Sequence, residues 1–285
     1  MSNLFKDLIK INAVKSKNVF LYSKYARDKK INIYKDSNTD VIFIKKKPDN
    51  YYYQKKSYEK DILSIKKYKL KNPIKIYDQD NIRRVNYIKS SYNKTILDIG
   101  SANSDFLQLA KKNFKIAEGV EPNEKQRKQT LKHFKIYKNL NEVKNSYDVI
   151  TAFHVLEHVP NQIKFIESIN NKLNKNGILY LEIPCAQDFL LNLNSYRNFI
   201  LWSEHLVLHT KNSIIKLLKF CNFKNISVNF VQRYDINNLI GWLIDGKPGG
   251  HEKYKYFKKR NNLFYKSIIE KKQISDTIFI SAKKK

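Results

Sequence analysis

From Lys94 onward the chain alternates short apolar runs with amphipathic stretches, and few folds accept that alternation. "KTILDIG" reads as a buried strand running into a turn, and "DFLQLAKKNF" as an amphipathic helix. "KIAEGVEP" is a second strand, "NEKQRKQTLKHF" a second helix and "KIYKNL" a third strand. "YDVITAF" follows as a fourth strand. "NQIKFIESINNKLNKNG" then reads as a helix with Ile163, Ile166, Ile169 and Leu173 on one face, and "GILYLEIP" as a fifth strand. "TKNSIIKLLKFCNF", capped by Thr210, is a further helix, and "KNISVNFVQ" and "SDTIFISAKK" supply two last strands. Strands and helices of these lengths in alternation predict an α/β fold, a seven-stranded sheet with helices on both faces.

The first ninety residues are less regular. "INIYKDSNTDVIFI", Ile31 to Ile44, alternates on both sides of a Ser-Asn turn and predicts a β-hairpin. "KKKPDNYYYQKK" follows, then a helical stretch ending in "NIRRVNYIKSSY". The division expected is an N-terminal lobe over residues 1–92, a substrate cover, and a main domain over 93–285. Two segments of the main domain, 185–209 and 232–273, are longer than ordinary connections and read as lids or binding loops.

Composition excludes several classes. No apolar run is long enough to cross a bilayer, and the first residues lack a signal-peptide core, so a cytoplasmic location without membrane insertion is expected. Two cysteines, Cys185 and Cys221, form neither a disulfide framework nor a metal-ligand pattern. The formal charge of +29 has the sign of a nucleic-acid binder. Lys, Asn, Ile and Tyr are all abundant while Gly, Pro and Arg are scarce, a bias toward AT-rich codons, and the lysines are spread along the chain. Solvated lysine faces are therefore expected rather than a polyanion surface.

The first strand-turn-helix carries "LDIGSANSDFL". Asp98 closes the strand and Gly100 makes the turn. The small residues Ser101, Ala102 and Ser104 let a ligand approach backbone N–H groups at a helix start. Roughly twenty residues on, "GVEPN" puts Glu121 at a strand tip, where a carboxylate can take both hydroxyls of a ribose.

"ILDIGSANSDFL", "GVEPN", "YDVITAFHVLEHV" and "NGILYLEIP", in this order and spacing, resemble the class I S-adenosylmethionine (SAM)-dependent methyltransferases over residues 94–283. The resemblance implies a Rossmann-like sheet and SAM as cofactor. Asp98, Gly100, Ser101, Ala102 and Ser104 then approach its methionine part. Glu121 and Pro122 meet the ribose, Asn139 and Leu140 lie near the adenine, and Phe153 and His154 form a floor under the sulfonium. The chain departs from the family pattern at Ala102 and Ser104, where glycines are usual, which bears on cofactor affinity.

"HVLEH", His154 to His158, matches the H-x-x-E-H pattern of one zinc-protease class. That pattern needs a long helix, and here a strand precedes it and Pro160 ends it. At the end of the fourth strand these residues border the cofactor pocket instead, and three roles stay open. His158 can be a general base with Glu157 orienting it. His154, Glu157 and His158 can hold a divalent ion, as a similar set does in quinone-pathway O-methyltransferases. Alternatively, the group is structural. No metal is assigned from the sequence.

"WSEHLVLHT" is similar to a stretch that in this family faces the acceptor, which makes Glu204 and His205 further catalytic candidates and Trp202 a substrate contact. His209, beside Thr210, reads as structural. "QRYDINNLIGWLIDGKPGGHEKY" offers Arg233, Trp242, Lys247, Gly249, Gly250 and His251 for a sugar or nucleotide, by similarity to polysaccharide and nucleotide-sugar methyltransferases. A plain turn between helices explains its glycines equally well. The N-terminal hairpin followed by "YYY" is similar in outline to the small module of sugar methyltransferases but has no cysteine for zinc.

The expected function is SAM-dependent methyl transfer to a small acceptor, a hydroxyl of a nucleotide-linked sugar or surface-glycan intermediate, with a histidine base. The alternatives are an RNA-binding protein or RNA methyltransferase, and a quinone-type O-methyltransferase with a divalent metal. The chain has "AFHVLEHVP" where amino-methylating enzymes carry (D/N)PP(Y/F), and no RNA-binding module is recognisable. A small-molecule partner is expected rather than nucleic acid, and the sequence leaves the oligomeric state open.

Overall fold

The computed structural model describes residues 3–45, 73–130 and 133–285. The "KKKPDNYYYQKK" stretch lies outside them. Seven strands form the main sheet: β4 (Thr95–Ile99), β5 (Ile116–Val120), β6 (Ile136–Tyr137), β7 (Tyr147–Phe153), β8 (Leu173–Pro184), β10 (Phe223–Val231) and β11 (Thr277–Lys284). Their spatial order is β6-β5-β4-β7-β8-β11-β10. β11 runs antiparallel to both of its neighbours, and the other pairings are parallel. This is the α/β sheet predicted from the alternation.

The chain leaves β4 toward β5 and β6 and then returns to β4's other side as β7. The order reverses at that point, and in open α/β sheets ligands bind beyond the carboxyl ends of the strands at such a reversal, here those of β4 and β7. Helices α2 (Pro73–Tyr87), α3 (Asp105–Ala110) and α4 (Glu124–Thr130) belong to the first half of the sheet, and α5 (Gln162–Lys172) links β7 to β8. α5 ends at Lys172, earlier than its apolar periodicity suggests. Leu173 keeps its burial but has extended backbone and pairs with Tyr147, so the strand begins there.

The predicted hairpin is β2 (Lys30–Asp36) with β3 (Ile42–Ile44). Asp36 holds the turn by accepting from the backbone N–H groups of Asn38 and Thr39. An unpredicted strand, β1 (Val19–Tyr25), flanks β2; its side chains are largely exposed, so it shows no clean alternation. The fourth strand of this small sheet comes from far along the chain: β9 (Val207–Leu208) pairs with Phe43 and Ile42. Helix α1 (Asn3–Lys10) places Leu4, Phe5 and Leu8 in one apolar cluster with Phe43, Ile163 and Leu206. The hairpin lobe and the main sheet therefore share a core. Among the described residues no helix is long and apolar enough to cross a membrane.

His209 ties this assembly together. It is 1% exposed, and its ring nitrogens meet Ser213 Oγ at 2.9 Å and Gln162 Oε1 at 2.8 Å, which joins α5 to α7 (Lys211–Phe220). Burial pushes its pKa down to about 4. In the unfolded chain it titrates at its ordinary value of 6.5. Its contribution to stability is therefore complete above pH 6.5, falls as the pH drops toward 4, and is level below that. The slope is about 1.4 kcal/mol per pH unit for one proton. Urea midpoints measured from pH 7.5 to 4 should fall less steeply in His209→Gln than in the wild-type chain; equal slopes would contradict a buried neutral His209.

Candidate active site

The loop after β4 is built on left-handed backbone. Gly100, Ala102 and Ser104 have φ of 76°, 46° and 62°. Ala102 and Ser104 stand where the family usually has glycines, and their conformation explains that preference: a left-handed residue with a Cβ costs roughly 1–2 kcal/mol. Gly100 has no such latitude, because a Cβ there would lie 2.5 Å from Val155 Cγ2. The glycine is the seat on which the turn after β7 rests.

Beside this loop Glu121, 5% exposed at the tip of β5, accepts from the backbone N–H of Ala102 at 2.9 Å and of Asn123 at 2.7 Å. Burial raises its pKa, against the pull of those two N–H groups. The hydroxyls of Ser101 and Ser104 are buried without hydrogen-bond partners. A buried carboxylate, two unsatisfied hydroxyls and a loop shaped for close approach fit an adenosyl group, whose ribose the sequence led us to expect at Glu121. Asp98 lies deeper; it accepts from Thr151 Oγ1 at 2.6 Å and burial lifts its pKa to about 7, so it braces β4 against β7. Pro122 lends its carbonyl to Arg127, and Asn139 caps the turn that Leu140 begins by accepting from Asn141 and Glu142.

At the end of β7 the chain turns sharply. His154 has a φ of 55°, and its N–H bonds the carbonyl of Glu182. Leu156–His158 then forms a single 3₁₀ turn rather than the long helix a zinc protease needs. His158 faces the 201–208 segment: its Nδ1 lies 2.8 Å from the Glu204 carbonyl, so Nδ1 carries the proton and Nε2 the lone pair. Nε2 is 3.9 Å from Glu157 Oε1. His205 stacks at a tilt 5.1 Å from the His158 ring, and Trp202 stands edge-on to both.

Burial lowers the pKa of His158, partly offset by the Glu157 charge, and lowers that of His205 to about 3. Burial opposes the charge on Glu157, but the hydrogen bond with His154 and the neighbouring histidines hold it at about 2. Both imidazoles are therefore neutral at pH 7 beside one carboxylate. Ligand atoms of Glu157, His158 and His205 all lie within 4.8 Å of one another, a set that suits a divalent transition metal. The set anticipated from sequence had His154 in place of His205.

His154 is instead part of a network that the sequence reading missed. Its ring meets Glu157 Oε1 at 3.3 Å and Glu182 Oε1 at 3.1 Å. Glu182, with no exposed surface, also receives Arg84 Nε and Nη2 at 3.1 and 2.6 Å and Arg83 Nη1 at 2.7 Å. Burial works against its charge, but Arg84, His154 and Arg83 hold its pKa well below the usual range. Burial opposes the charge on His154, but its hydrogen bonds with Glu157 and Glu182 raise its pKa. Phe153 packs edge-on to Phe106 and under the Arg84 guanidinium. Arg83 and Arg84 had one available signal, a pair of arginines in a chain that otherwise uses lysine.

The candidate substrate contacts separate. Trp202 belongs with the histidines. Arg233 is committed to Asp80 at 2.6 Å. Trp242 and Lys247 border a cleft that Tyr25, Arg27 and Phe199 also line. Gly250 is buried where α8 (Ile236–Ile244) crosses α9 (Gly250–Lys253), and a Cβ on it would lie 2.4 Å from the Asn237 carbonyl. Gly249, at φ 101°, starts α9, with His251 following. Close helix packing accounts for Gly250, and the left-handed backbone before α9 for Gly249.

The family described as a methyltransferase domain matches residues 75–228, just over half of the 285-residue chain. Among solved structures, a SAM-dependent methyltransferase of Archaeoglobus fulgidus is similar in fold, with 20% identity and a TM-score of 0.53. The match covers 76% of this chain and 96% of that one. A SAM-dependent methyltransferase of Thermotoga maritima is similar with 14% identity and a TM-score of 0.51, over 79% of this chain and 99% of that one. No curated protein is significantly similar.

Replacing Glu121 tests the ribose assignment. A buried charge-assisted hydrogen bond is worth about 1.5–3 kcal/mol. Glu121→Ala should raise the dissociation constant of S-adenosylhomocysteine, read by calorimetry, roughly tenfold or more. An unchanged constant would place the ribose elsewhere.

Proposed function

The chain belongs to the methyltransferase-domain family, and from that premise we propose that it methylates a hydroxyl of a small acceptor, a sugar on a nucleotide-linked or surface-glycan intermediate, with His158 as general base. One observation carries the reading. The loop after β4, which Glu121 secures through the Ala102 N–H, and the turn after β7 that leads to His158 follow adjacent parallel strands at the same end of the sheet, and Val155 packed on Gly100 sets one against the other.

The family's methyl donor, SAM, supplies an electrophilic methyl group when bound. A hydroxyl held against His158 gives its proton to Nε2, which makes the oxygen nucleophilic. The Glu204 carbonyl keeps the proton on Nδ1 and the ring in place throughout. Glu157, ionised and 3.9 Å from Nε2, stabilises the imidazolium that results. Trp202, edge-on to both histidines, forms a wall suited to the apolar face of a sugar ring. Incubating the purified chain with SAM and a panel of nucleotide-linked sugars, and reading a one-methylene mass increase, tests the acceptor class directly.

His158→Ala should leave cofactor binding near normal and lower turnover about a hundredfold or more. Because its pKa lies below the ordinary 6.5, wild-type turnover should be flat above that pH and fall below it. Survival of turnover in His158→Ala with collapse in His205→Ala would exchange their roles.

The metal-ligand geometry around the base gives a separate expectation. An ion bound by Glu157, His158 and His205 would occupy the lone pair that removes the proton. Added zinc should therefore inhibit, and exhaustive EDTA treatment should leave full activity. Loss of activity in EDTA, restored by a divalent ion, would replace the base with a metal.

A further inference from the structure

Helix α10 (Lys259–Lys271), which precedes β11, is held firmly on one side and open on the other. Tyr265 and Ile269 are buried, Glu270 accepts the Gln232 N–H at 2.9 Å, and the Lys266 ammonium donates to the Arg233 carbonyl at 2.7 Å. Its start is tied to α8. Asn262 Oδ1 accepts the Ile236 N–H at 3.3 Å, and Asn237 exchanges two hydrogen bonds of 3.1 Å with the Phe257 backbone. α8 is anchored in turn through Trp242, which packs edge-on to Tyr196 and at a tilt against Phe199, both of α6 (Asn194–Ile200). These contacts fix which face of α10 meets solvent.

That face is not the polar one expected of a surface helix. By helical periodicity Arg260, Leu263, Phe264, Ser267, Ile268 and Lys271 share one side, and all six are exposed. Leu263 is 60%, Phe264 67% and Ile268 36% exposed. Tyr256, on the approach to the helix, is 70% exposed. Scattered apolar side chains are ordinary at a surface, but three on one helix face mark a contact site. Charge accompanies them. Over residues 255–272 seven of 18 side chains are Lys or Arg, about twice the proportion of the whole chain, 55 in 285. The one acid in that stretch is Glu270, engaged with Gln232. Arg260 and Lys271 stand at either end of the apolar face, and Lys258 and Lys259 lead into it.

Hydrocarbon flanked by cations suits the surface of an anionic bilayer, where apolar side chains enter the acyl boundary and Lys and Arg reach the headgroups. A second copy of the chain fits less well, because a self-complementary contact would set one cationic face against another. Nucleic acid also fits less well, because Leu263 and Ile268 offer no ring on which a base can stack.

We propose that the outer face of α10 docks the protein on an anionic lipid surface, with Leu263, Phe264 and Ile268 in the acyl boundary and Lys258, Lys259, Arg260 and Lys271 at the headgroups. The helix lies on the bilayer and does not cross it, since its 13 residues fall short of the roughly 20 that a span requires. The proposal stands apart from the acceptor reading.

Co-sedimentation of the full chain with phosphatidylcholine vesicles, and with equimolar phosphatidylcholine–phosphatidylglycerol vesicles, tests the surface. The anionic vesicles should bind the protein roughly tenfold more tightly than the neutral ones, or better. Leu263→Ser combined with Phe264→Ser should weaken binding to the anionic vesicles roughly tenfold or more. Lys258→Glu combined with Lys259→Glu should weaken it by roughly fivefold or more per lysine. The same charge change in the turn before β5, Lys112→Glu with Lys115→Glu, should have a much smaller effect, which separates a local surface from the overall charge of +29. All six side chains are exposed, so the substitutions place little demand on folding, and thermal melting checks this. Failure to bind anionic vesicles, equal losses from the two lysine pairs, or binding indifferent to the Leu263 and Phe264 changes would each overturn the docking face. So would dimerisation in solution that the serine variant abolishes, or binding of a single-stranded RNA tighter than that of the vesicles and lost in the same variants.

Discussion

Glu182 sits at the meeting point of everything that surrounds the site. Its carboxylate has no exposed surface, is compensated by the guanidinium groups of Arg84 and Arg83, and meets the His154 ring. Removing one partner from such a buried set generally costs about 3–5 kcal/mol, because the remaining charges lose their counterion. The arginines belong to α2 and the histidine to the turn after β7, so a single side chain at the end of β8 positions both. The left-handed backbone at His154 is held from the same residue, whose carbonyl accepts its N–H. That turn direction sends Leu156–His158 back across the crevice and brings Glu157 and His158 to His205.

The two halves of the site are braced through a contact with no polar atom. Val155 fills the space that a side chain at position 100 would need, so the donor loop and the histidine turn bear directly on each other. Small displacements of one are felt by the other, as expected of close-packed interiors. The loop tolerates Ala102 and Ser104 in a conformation that glycine adopts freely, and it is secured by the Glu121 carboxylate accepting the Ala102 N–H. The same carboxylate is the group expected, from the sequence, to take the ribose.

The sheet and the donor side were legible because their signals are local: apolar periodicity, a strand-turn-helix with small residues, and a carboxylate twenty residues later. The acceptor side was legible only as candidate residues. Glu157 and His158 meet His205 across a long stretch of chain, and Glu182 meets Arg83 and Arg84 across a longer one. Such pairings follow no period. Arg233, expected at a ligand, is bound to Asp80, and Gly250, expected in a nest, sits where two helices cross. A residual signal lay in arginine, rare in this lysine-rich chain. Arg27, Arg83, Arg84, Arg127 and Arg233 all sit where a planar fork meets a ring, a carboxylate or a carbonyl, a task a lysine performs less well.

The strand β9 carries one more implication. The segment that contains His205 is sewn to the N-terminal strands along its whole length: Arg27 to Leu201, Asp28 to Ser203, Ile44 to Leu206, and the β3–β9 pairing beyond. On its other flank it is tied to Glu157 through the Leu206 N–H. The portion of the chain that resembles the family begins at residue 75, so the anchorage of an acceptor-side histidine lies outside it. Trimmed to that portion, the protein would keep the loop after β4 and Glu121 while His205 lost its moorings. The structural unit that fixes this segment is larger than the shared domain.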